Sequence, residues 1–187
     1  MREEIIQATR VLEAGGIILY PTDTIWGIGC DATNYRAVQK IYKLKKRLTR
    51  KSFIVLLDQP EKILNYVAKV PEIAWDLIGN VTTPLTVVYP NAKNLAKNVI
   101  AQDNSIAIRL TRDQFCVRLI NLFNKPIVST SANLADDAPP RMFSDISEEI
   151  VNGVDHVVGI KHDKLNDLKP STIIKLDEGG DYVVLRS

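Results

Sequence analysis

The sequence predicts an α/β protein with a mixed sheet, built as one domain over residues 1–187. Short apolar runs of strand length alternate with amphipathic stretches of helix length, and strands then accumulate toward the C-terminus. No internal repeat, low-complexity block or convincing linker divides the chain. Together these patterns indicate a single sheet flanked by helices.

The first predicted helix spans residues 3–14, where apolar side chains recur at helical spacing until two glycines end the stripe. The run "IILY" at residues 17–20 predicts a buried strand that stops at Pro21. After the loop "PTDT", residues 25–30 ("IWGIGC") are predicted to return as extended chain, with glycines at tight backbone positions.

Asn34 is expected to cap a helix that runs to about Lys45, because its side chain can accept bonds from the first free amides. The run "FIVLL" at residues 53–57 predicts the next strand. Two short helices are predicted to follow, over residues 58–66 and 71–78.

The second half of the chain contains most of the predicted strands. "LTVVY" and "SIAIRL" predict strands, and the helix after them should turn Phe115, Leu119 and Leu122 inward. The predicted strands are residues 85–89, 105–110, 126–129, 156–160, 171–176 and 182–186, and the predicted helices are residues 113–123 and 144–151.

The composition excludes several classes of protein. Apolar residues make up 45% and charged residues 25%, and the longest apolar runs fall far short of the ~20 residues that a membrane helix needs. The N-terminus is charged and lacks the apolar block of a signal peptide. We therefore expect a cytoplasmic protein with no membrane partner.

The cysteines and histidines do not predict a metal site. Cys30 and Cys116 are far apart and form no CxxC pair, so each is expected to be a small core residue. His156 and His162 show no metal-ligand spacing. A serine–histidine hydrolase would have to take its base from one of these two histidines.

Six of the nine residues in "KLKKRLTRK" (residues 43–51) are basic, although the net charge of the whole chain is only +2. A solvated helix end explains part of this, since the helix dipole favours Lys and Arg there. The density also suits phosphate groups or a nucleic acid backbone. Nearby Tyr35, Tyr42 and Phe53 are expected to be core residues, so the triphosphate of a nucleotide is the favoured anion.

Three strand exits are rich in hydroxyl groups: "PTDT", "PIVSTSAN" and "PSTI". Each loop could simply satisfy its own backbone. However, ligands of open α/β sheets bind at strand ends. No glycine-rich phosphate loop is present, so side chains would have to hold any nucleotide. We expect the three exits and the basic helix end to converge on one cleft.

Five stretches, in order, resemble the YrdC-type threonylcarbamoyl-AMP synthases: "GGIILYPTDTIWGIGCDA", "LKKRLTRK", "SIAIRL", "PIVSTSAN" and "PSTI". The similarity extends over residues 15–186, and the ordered set is far more specific than any one stretch. The resemblance implies a twisted open α/β sheet around a large, positively charged cavity. It also implies that ATP, L-threonine and bicarbonate give threonylcarbamoyl-adenylate and pyrophosphate.

The resemblance also implies site residues. The KxR and SxN motifs of the family fall on Lys45, Arg47, Ser131 and Asn133, of which Lys45 and Arg47 are expected to be catalytic. The residues implied for ATP are Arg47, Lys51, Ser105, Ser131, Asn133 and Arg186. The residues implied for threonine are Thr24, Arg109, Ser129 and Ser171.

These residue types suit the implied chemistry. A carbamate, formed from the threonine amine and carbon dioxide, would attack the α-phosphate of ATP. Such a transfer needs alignment and neutralised charge more than a protein nucleophile. Lysine and arginine supply that charge, and Mg²⁺ is expected to add to it. The planar fork of Arg109 suits the threonine carboxylate.

The sequence departs from the family pattern at three places. Leu48 stands where a proline usually follows the KxR arginine, and residues 81–86 read "VTTPLT" where Trp-Pro-Gly-Pro-Leu-Thr is common. The loop after Asn133 reads "LADDAPPR", with Pro139 where a nucleotide-side serine would lie. Its two aspartates add negative charge near the expected phosphates, or help to hold a metal, or are simply solvated.

Two other functions are compatible with the same features. A non-catalytic module could bind double-stranded RNA or tRNA with the same basic cavity. The chain could also have a carbamoyl-transfer role, since a related domain occurs within larger carbamoyltransferases, although this chain is short for such a protein. For a synthase, a downstream transferase would pass the threonylcarbamoyl group to tRNA, and tRNA itself would bind this chain only weakly.

Overall fold

The computed structural model describes residues 1–47, 53–135, 137–140, 142–159 and 171–187. Its α-helices are α1 (Arg2–Glu13), α2 (Tyr35–Leu44), α3 (Glu72–Asn80), α4 (Gln114–Phe123) and α5 (Glu148–Gly153), with short 3₁₀ helices at Pro60–Asn65 and Phe143–Asp145. Its strands are β1 (Ile18–Tyr20), β2 (Gly27–Gly29), β3 (Ile54–Leu57), β4 (Leu85–Tyr89), β5 (Ile106–Leu110), β6 (Ile127–Ser131), β7 (His156–Val157), β8 (Thr172–Leu176) and β9 (Tyr182–Arg186).

In the described residues these strands form one mixed sheet in the order β7-β1-β2-β6-β3-β5-β4-β8-β9. The pairs β1–β7, β3–β5 and β4–β8 are parallel, and the other neighbouring pairs are antiparallel. The prediction of an α/β protein with a mixed sheet flanked by helices is confirmed. No helix in the described part of the chain is both long enough and apolar enough to cross a bilayer.

Helices cover both faces of the sheet because strand side chains alternate between them. Ile18 and Tyr20 of β1 pack in one apolar cluster with α1 and α4, whereas Leu19 between them packs in the cluster that includes α2. Cys116 belongs to the first cluster and Cys30 to the second, and both are buried free thiols. The prediction that the cysteines are core residues is therefore confirmed.

Local sequence fixes the ends of the central helices. Asn34 caps α2 by accepting bonds from the amides of Arg36 and Ala37, as predicted. Asp113 caps α4 by accepting from the amide of Cys116. Asn124 then ends α4 in the left-handed conformation, with φ of 55°, which asparagine tolerates better than most residues.

Several predicted elements have different bounds or types. The segment 58–66 contains a 3₁₀ helix, and the predicted helix 144–151 is split by Ile146, whose ψ of 126° is extended. Strand β6 continues to Ser131 because its end pairs with Gly27 of β2. Strand β7 ends at Val157, where its pairing with β1 stops; residue 160 of the prediction lies outside the described residues.

Two predictions of buried side chains were wrong. Leu122 is 53% exposed, because the buried face of α4 follows Phe115, Cys116, Leu119, Ile120 and Phe123 and turns away from it. Tyr35 is 55% exposed at the first turn of α2. Tyr42 and Phe53 are buried, and their rings pack at a tilt of 37° with 4.5 Å between centroids, as expected for core residues.

The two leucines of α4 test this assignment of its faces. Leu119→Ala should lower the free energy of unfolding by about 2–5 kcal/mol, because a fully buried leucine leaves a cavity when it is truncated. Leu122→Ala should change it by no more than about 0.5 kcal/mol. Urea unfolding of both variants measures this; equal losses would show that Leu122 also packs in the core.

Candidate functional site

A cavity of about 290 Å³ opens where the loop after β1, the end of α2 and the strands β5, β6, β8 and β9 come together. Its polar lining comes from the three hydroxyl-rich strand exits and the basic helix end, which therefore meet at one cleft. The lining residues are Thr22, Thr24, Ile25, Trp26, Gly27, Arg47, Phe53, Ile54, Arg109, Ser129, Thr130, Ser131, Pro139, Ser171, Ile173 and Arg186.

Three arginines from different elements line this cavity: Arg47, Arg109 and Arg186. No acidic residue appears among the described residues of the lining. The guanidinium of Arg47 lies over the ring of Phe53, with 4.8 Å from Cζ to the centroid. Burial lowers the pKa of both Arg47 and Arg186, and the nearby charge of Arg109 lowers that of Arg186 further. The cleft therefore contains cationic groups that are already partly desolvated and could bind an anion.

Arg109 is the most buried of the three, at 4% exposure. Its Nη1 donates to Oγ1 of Thr24 at 3.2 Å, and its Nη2 lies 3.4 Å from Oδ1 of Asp23. Its Nε is buried without a hydrogen-bond partner among the described residues. A guanidinium has five N–H donors in a planar fork, so Arg109 keeps donors for an anionic ligand.

Arg186 joins the last strand to the cavity. Its Nε and Nη2 donate to the carbonyl of Ser171 at 3.1 and 2.8 Å, and Nη2 lies 3.3 Å from Oγ of Ser171. The hydroxyl of Ser171 also shares a hydrogen bond of 2.8 Å with Oγ1 of Thr86, which is fully buried. These bonds fix Ser171 from two sides.

The four residues of the KxR and SxN motifs divide into two pairs. Arg47 and Ser131 line the cavity, whereas Lys45 and Asn133 are not among its described lining residues. Lys45 is 2% exposed, and burial lowers its pKa to about 8, with the charge of Arg47 contributing. Between Lys45 and Arg47, Lys46 adopts the left-handed conformation with φ of 51°, so the chain turns sharply there.

The other predicted site residues are placed as follows. Thr24, Ser129 and Ser171 line the cavity beside Arg109. Ser105 is not among the described lining residues: its hydroxyl donates to Oδ1 of Asp103 at 2.6 Å. Its suggested role at ATP therefore gains no support from this geometry. Lys51 lies outside the described residues.

Sequence reasoning missed several residues of the site. Thr22 accepts bonds from the amides of Thr24 and Ile25 and donates to the Ile25 carbonyl, so it shapes the loop after β1. Trp26 lines the cavity and packs against Phe143 at 5.0 Å between ring centroids. Thr22 stands inside the quoted "PTDT" motif, which was the available signal, whereas nothing local distinguished Trp26 from a core residue.

A second cavity, of about 210 Å³, has mainly apolar walls from α3, β4 and β5. It adjoins residues 81–84, part of the stretch that departs from the family pattern. Arg112 anchors that stretch by donating to the carbonyls of Val81 and Thr82 at 2.9 and 3.1 Å. Asp23, the partner of Arg109, lines this second cavity rather than the first.

The described residues contain no group of three or more His, Cys, Asp or Glu side chains that could hold a metal ion. The carboxylate of Asp23 is paired with Arg109 and lines the second cavity. The described lining therefore does not fit a resident metal held by carboxylates.

Comparisons with known proteins place the chain among named relatives. The chain is 37% identical over 170 residues to a threonylcarbamoyl-AMP synthase of Hahella chejuensis, covering 90% of this chain and 91% of that protein. It is 35% identical over 176 residues to a threonylcarbamoyl-AMP synthase of Pseudoalteromonas translucida, with the same coverage of 90% and 91%.

The fold is shared with E. coli YciO, at a TM-score of 0.85 and 22% identity, over 100% of this chain and 90% of that one. It is also shared with P. abyssi Sua5 in complex with L-threonine, at a TM-score of 0.85 and 24% identity, over 97% of this chain and 53% of that one. The Sua5/YciO/YrdC family model, described as "Telomere recombination", matches residues 10–187. The chain therefore belongs to the Sua5/YciO/YrdC family.

Proposed function

We propose that the chain is an L-threonylcarbamoyladenylate synthase, which converts L-threonine, bicarbonate and ATP into threonylcarbamoyl-AMP and pyrophosphate. The observation that carries the proposal is the cluster of Arg47, Arg109 and Arg186 on one cleft lined with hydroxyl groups. ATP carries phosphates and threonine a carboxylate for these cations to bind, and the named relatives with at least 35% identity are threonylcarbamoyl-AMP synthases.

Threonine would bind at the buried end of the cleft. Arg109 offers a planar fork for the carboxylate, and Thr24 already accepts one of its N–H groups, which holds the fork in place. Ser129 and Ser171 supply hydroxyls within the same lining for the remaining polar groups of the amino acid. The high burial of Arg109 would strengthen its attraction for a carboxylate, because solvent screens the pair less there.

ATP would bind on the side of Arg47 and Ser131, where the cavity meets the basic run. The guanidinium of Arg47 lies over the ring of Phe53, and both residues line the cavity. Arg186 lies close enough to Arg109 to feel its charge, so it would contact the nucleotide near the junction with threonine. The resemblance also implies Asn133 and Lys51 for the nucleotide, but Asn133 is not among the described lining residues and Lys51 lies outside the described residues.

The mechanism follows from this placement of charge. Bicarbonate takes up a proton and loses water to give carbon dioxide, to which the threonine amine adds with loss of a proton, and the product is a carbamate. A carbamate oxygen then attacks the α-phosphorus of ATP, the bond to the bridging oxygen breaks, and pyrophosphate leaves. Arginines on both sides would neutralise the negative charge that otherwise keeps the two anions apart. No protein nucleophile is needed, because the carbamate itself attacks.

Mg²⁺, if required, would come with the nucleotide. The described lining offers no carboxylate to hold it, so phosphate oxygens would have to be its main ligands. When bound to the triphosphate it would add positive charge to the leaving pyrophosphate. The three arginines of the cleft would interact with the threonine carboxylate, the carbamate and the remaining phosphate oxygens.

The expected partners follow from the product. A carbamic–phosphoric anhydride is a reactive carbamoyl donor, so a downstream transferase in the cytoplasm would move its threonylcarbamoyl group to tRNA. Direct RNA binding is not favoured, because the exposed basic residues are partly neutralised: Lys46 pairs with Glu149 at 2.8 Å and Lys40 with Asp155 at 3.7 Å. Solvent and salt screen such surface charges, so RNA held only by these lysines should dissociate at physiological salt.

The direct test is pyrophosphate release from ATP, with threonine and bicarbonate each omitted in turn. A synthase should release pyrophosphate only when both are present, and threonylcarbamoyl-AMP should form in equal amount. Release that is unchanged without threonine contradicts the proposal. Absence of release in every mixture, together with RNA binding that resists physiological salt, would favour the RNA-binding alternative.

Arg47→Ala should lower the rate of threonylcarbamoyl-AMP formation by about 100-fold, or about 3 kcal/mol, because one charge contact to the reacting phosphate is lost. Lys46→Ala is the matched control: it removes a charge from the next residue, whose ammonium pairs with Glu149 on the surface. Turnover and thermal midpoint are measured together. Equal turnover in the two variants would mean that this part of the run is only a solvated helix end.

Arg109→Lys should raise the KM for threonine by roughly 10- to 100-fold while the KM for ATP changes little, since an ammonium cannot form the forked contact with a carboxylate. Arg112→Lys serves as control, because Arg112 holds the carbonyls of Val81 and Thr82 outside the first cavity. Steady-state kinetics with each substrate varied decides this. A larger effect on ATP than on threonine would reverse the assignment of the two ends.

A further inference from the structure

Lys45 is bound to the loop after β6 through both its side chain and its main chain. Its Nζ donates to the carbonyls of Ser131 and Asn133, and lies 3.5 Å from Oδ1 of Asn133. Its carbonyl accepts a bond of 3.0 Å from the amide of Ala135. Lys45, the residue that follows α2, is therefore hydrogen-bonded at several points to the end of β6 and the loop after it.

Asn133 continues this attachment within the loop. Its Nδ2 donates to the carbonyls of Leu134 and Asp137 at 2.7 and 2.6 Å, and its main-chain carbonyl accepts a hydrogen bond from Nζ of Lys45. Both donors of the amide group are thus used inside the protein. The pair formed by Lys45 and Asn133 is a support behind the cavity wall.

The local backbone explains why Lys45 and Asn133 lie behind the cavity lining whereas Arg47 and Ser131 face the cavity. The amides of Lys46 and Arg47 donate to the carbonyls of Lys43 and Tyr42, which is the bonding of a helix end that turns at a left-handed residue. The turn at Lys46 separates the directions of Lys45 and Arg47. On β6, Ser131 is the last residue of the strand and lines the cavity, and Asn133 follows in the loop.

We propose that Lys45 is a positioning residue rather than a catalytic one: its ammonium holds the loop after β6 so that Ser131 and Arg47 face the same substrate. The proposal rests on the synthase function for its effect on turnover, but not for its effect on the loop. It replaces the expectation that Lys45 acts directly on the reactants.

The chemistry of a buried ammonium supports this role. An ammonium has three N–H donors and no acceptor, and here it faces three protein oxygens. Leaving it unpaired at 2% exposure would be costly, so these bonds are needed where it lies. The charged groups that act on it are Arg47 from its own helix end and Asp137 from the loop.

Hydrogen exchange of the substrate-free protein separates the two roles. In Lys45→Met, amides of residues 132–135 should exchange roughly tenfold or more faster, since charge-assisted bonds to the loop are lost. Lys46→Met, which removes the neighbouring exposed ammonium, should leave them unchanged. The positioning role further predicts a rise in the KM for ATP together with a lower kcat. Normal loop protection in Lys45→Met with turnover lost would overturn the proposal and return Lys45 to the reacting groups.

Wild-type protein provides a test that does not depend on the variant folding. Brief acetylation, read by mass spectrometry, should modify Lys46 quickly and Lys45 slowly, whether or not ATP is present. An accessible amine with a pKa near 8 would react faster than ordinary lysines, so slow labelling reports burial. Rapid labelling of Lys45 that ATP suppresses would contradict the proposal. Neither hydrogen exchange nor acetylation requires turnover. A failure of the positioning proposal can therefore be told apart from a failure of the synthase function.

Discussion

The central physical constraint is that three guanidinium groups line one cleft, and that two of them, Arg109 and Arg186, are close enough for their like charges to interact. Arg109 is held by Thr24 and by the carboxylate of Asp23, which lines a different cavity. Arg186 is held by the carbonyl of Ser171, and its pKa is lowered by burial and by Arg109. The fold positions these cations in advance, so the energy of ordering them is spent in folding and not at the moment of substrate binding.

The sheet order explains how distant parts of the sequence reach this cleft. Strand β6 lies between β2 and β3, and β5 lies beside β3, so the loop after β1, the end of β6 and Arg109 become neighbours. Strands β8 and β9 are added beside β4, which places Ser171 next to Thr86 and carries Arg186 back toward the cavity. The mixed topology therefore brings the three arginines and the hydroxyl groups together at one cleft.

Most elements and the segments that form the site could be predicted from the sequence. Asn34 signals its helix through capping chemistry, and apolar runs mark the strands. The orientation of individual side chains could not be predicted. The motif residues Lys45 and Arg47 look equivalent until the left-handed turn at Lys46 sends one inside and the other to the cavity. Ser105 stands beside a strand that carries a site residue, yet its hydroxyl is taken by Asp103.

A crystal structure of the protein with L-threonine and a non-hydrolysable ATP analogue tests the site most directly. The threonine carboxylate should lie within hydrogen-bond distance of Arg109, with Ser129 and Ser171 beside it, and the phosphates should contact Arg47 and Ser131. The two ligands should meet near Arg186. Binding of both ligands outside this cleft, or phosphates on Arg109 and threonine on Arg47, would contradict the assignment of the site.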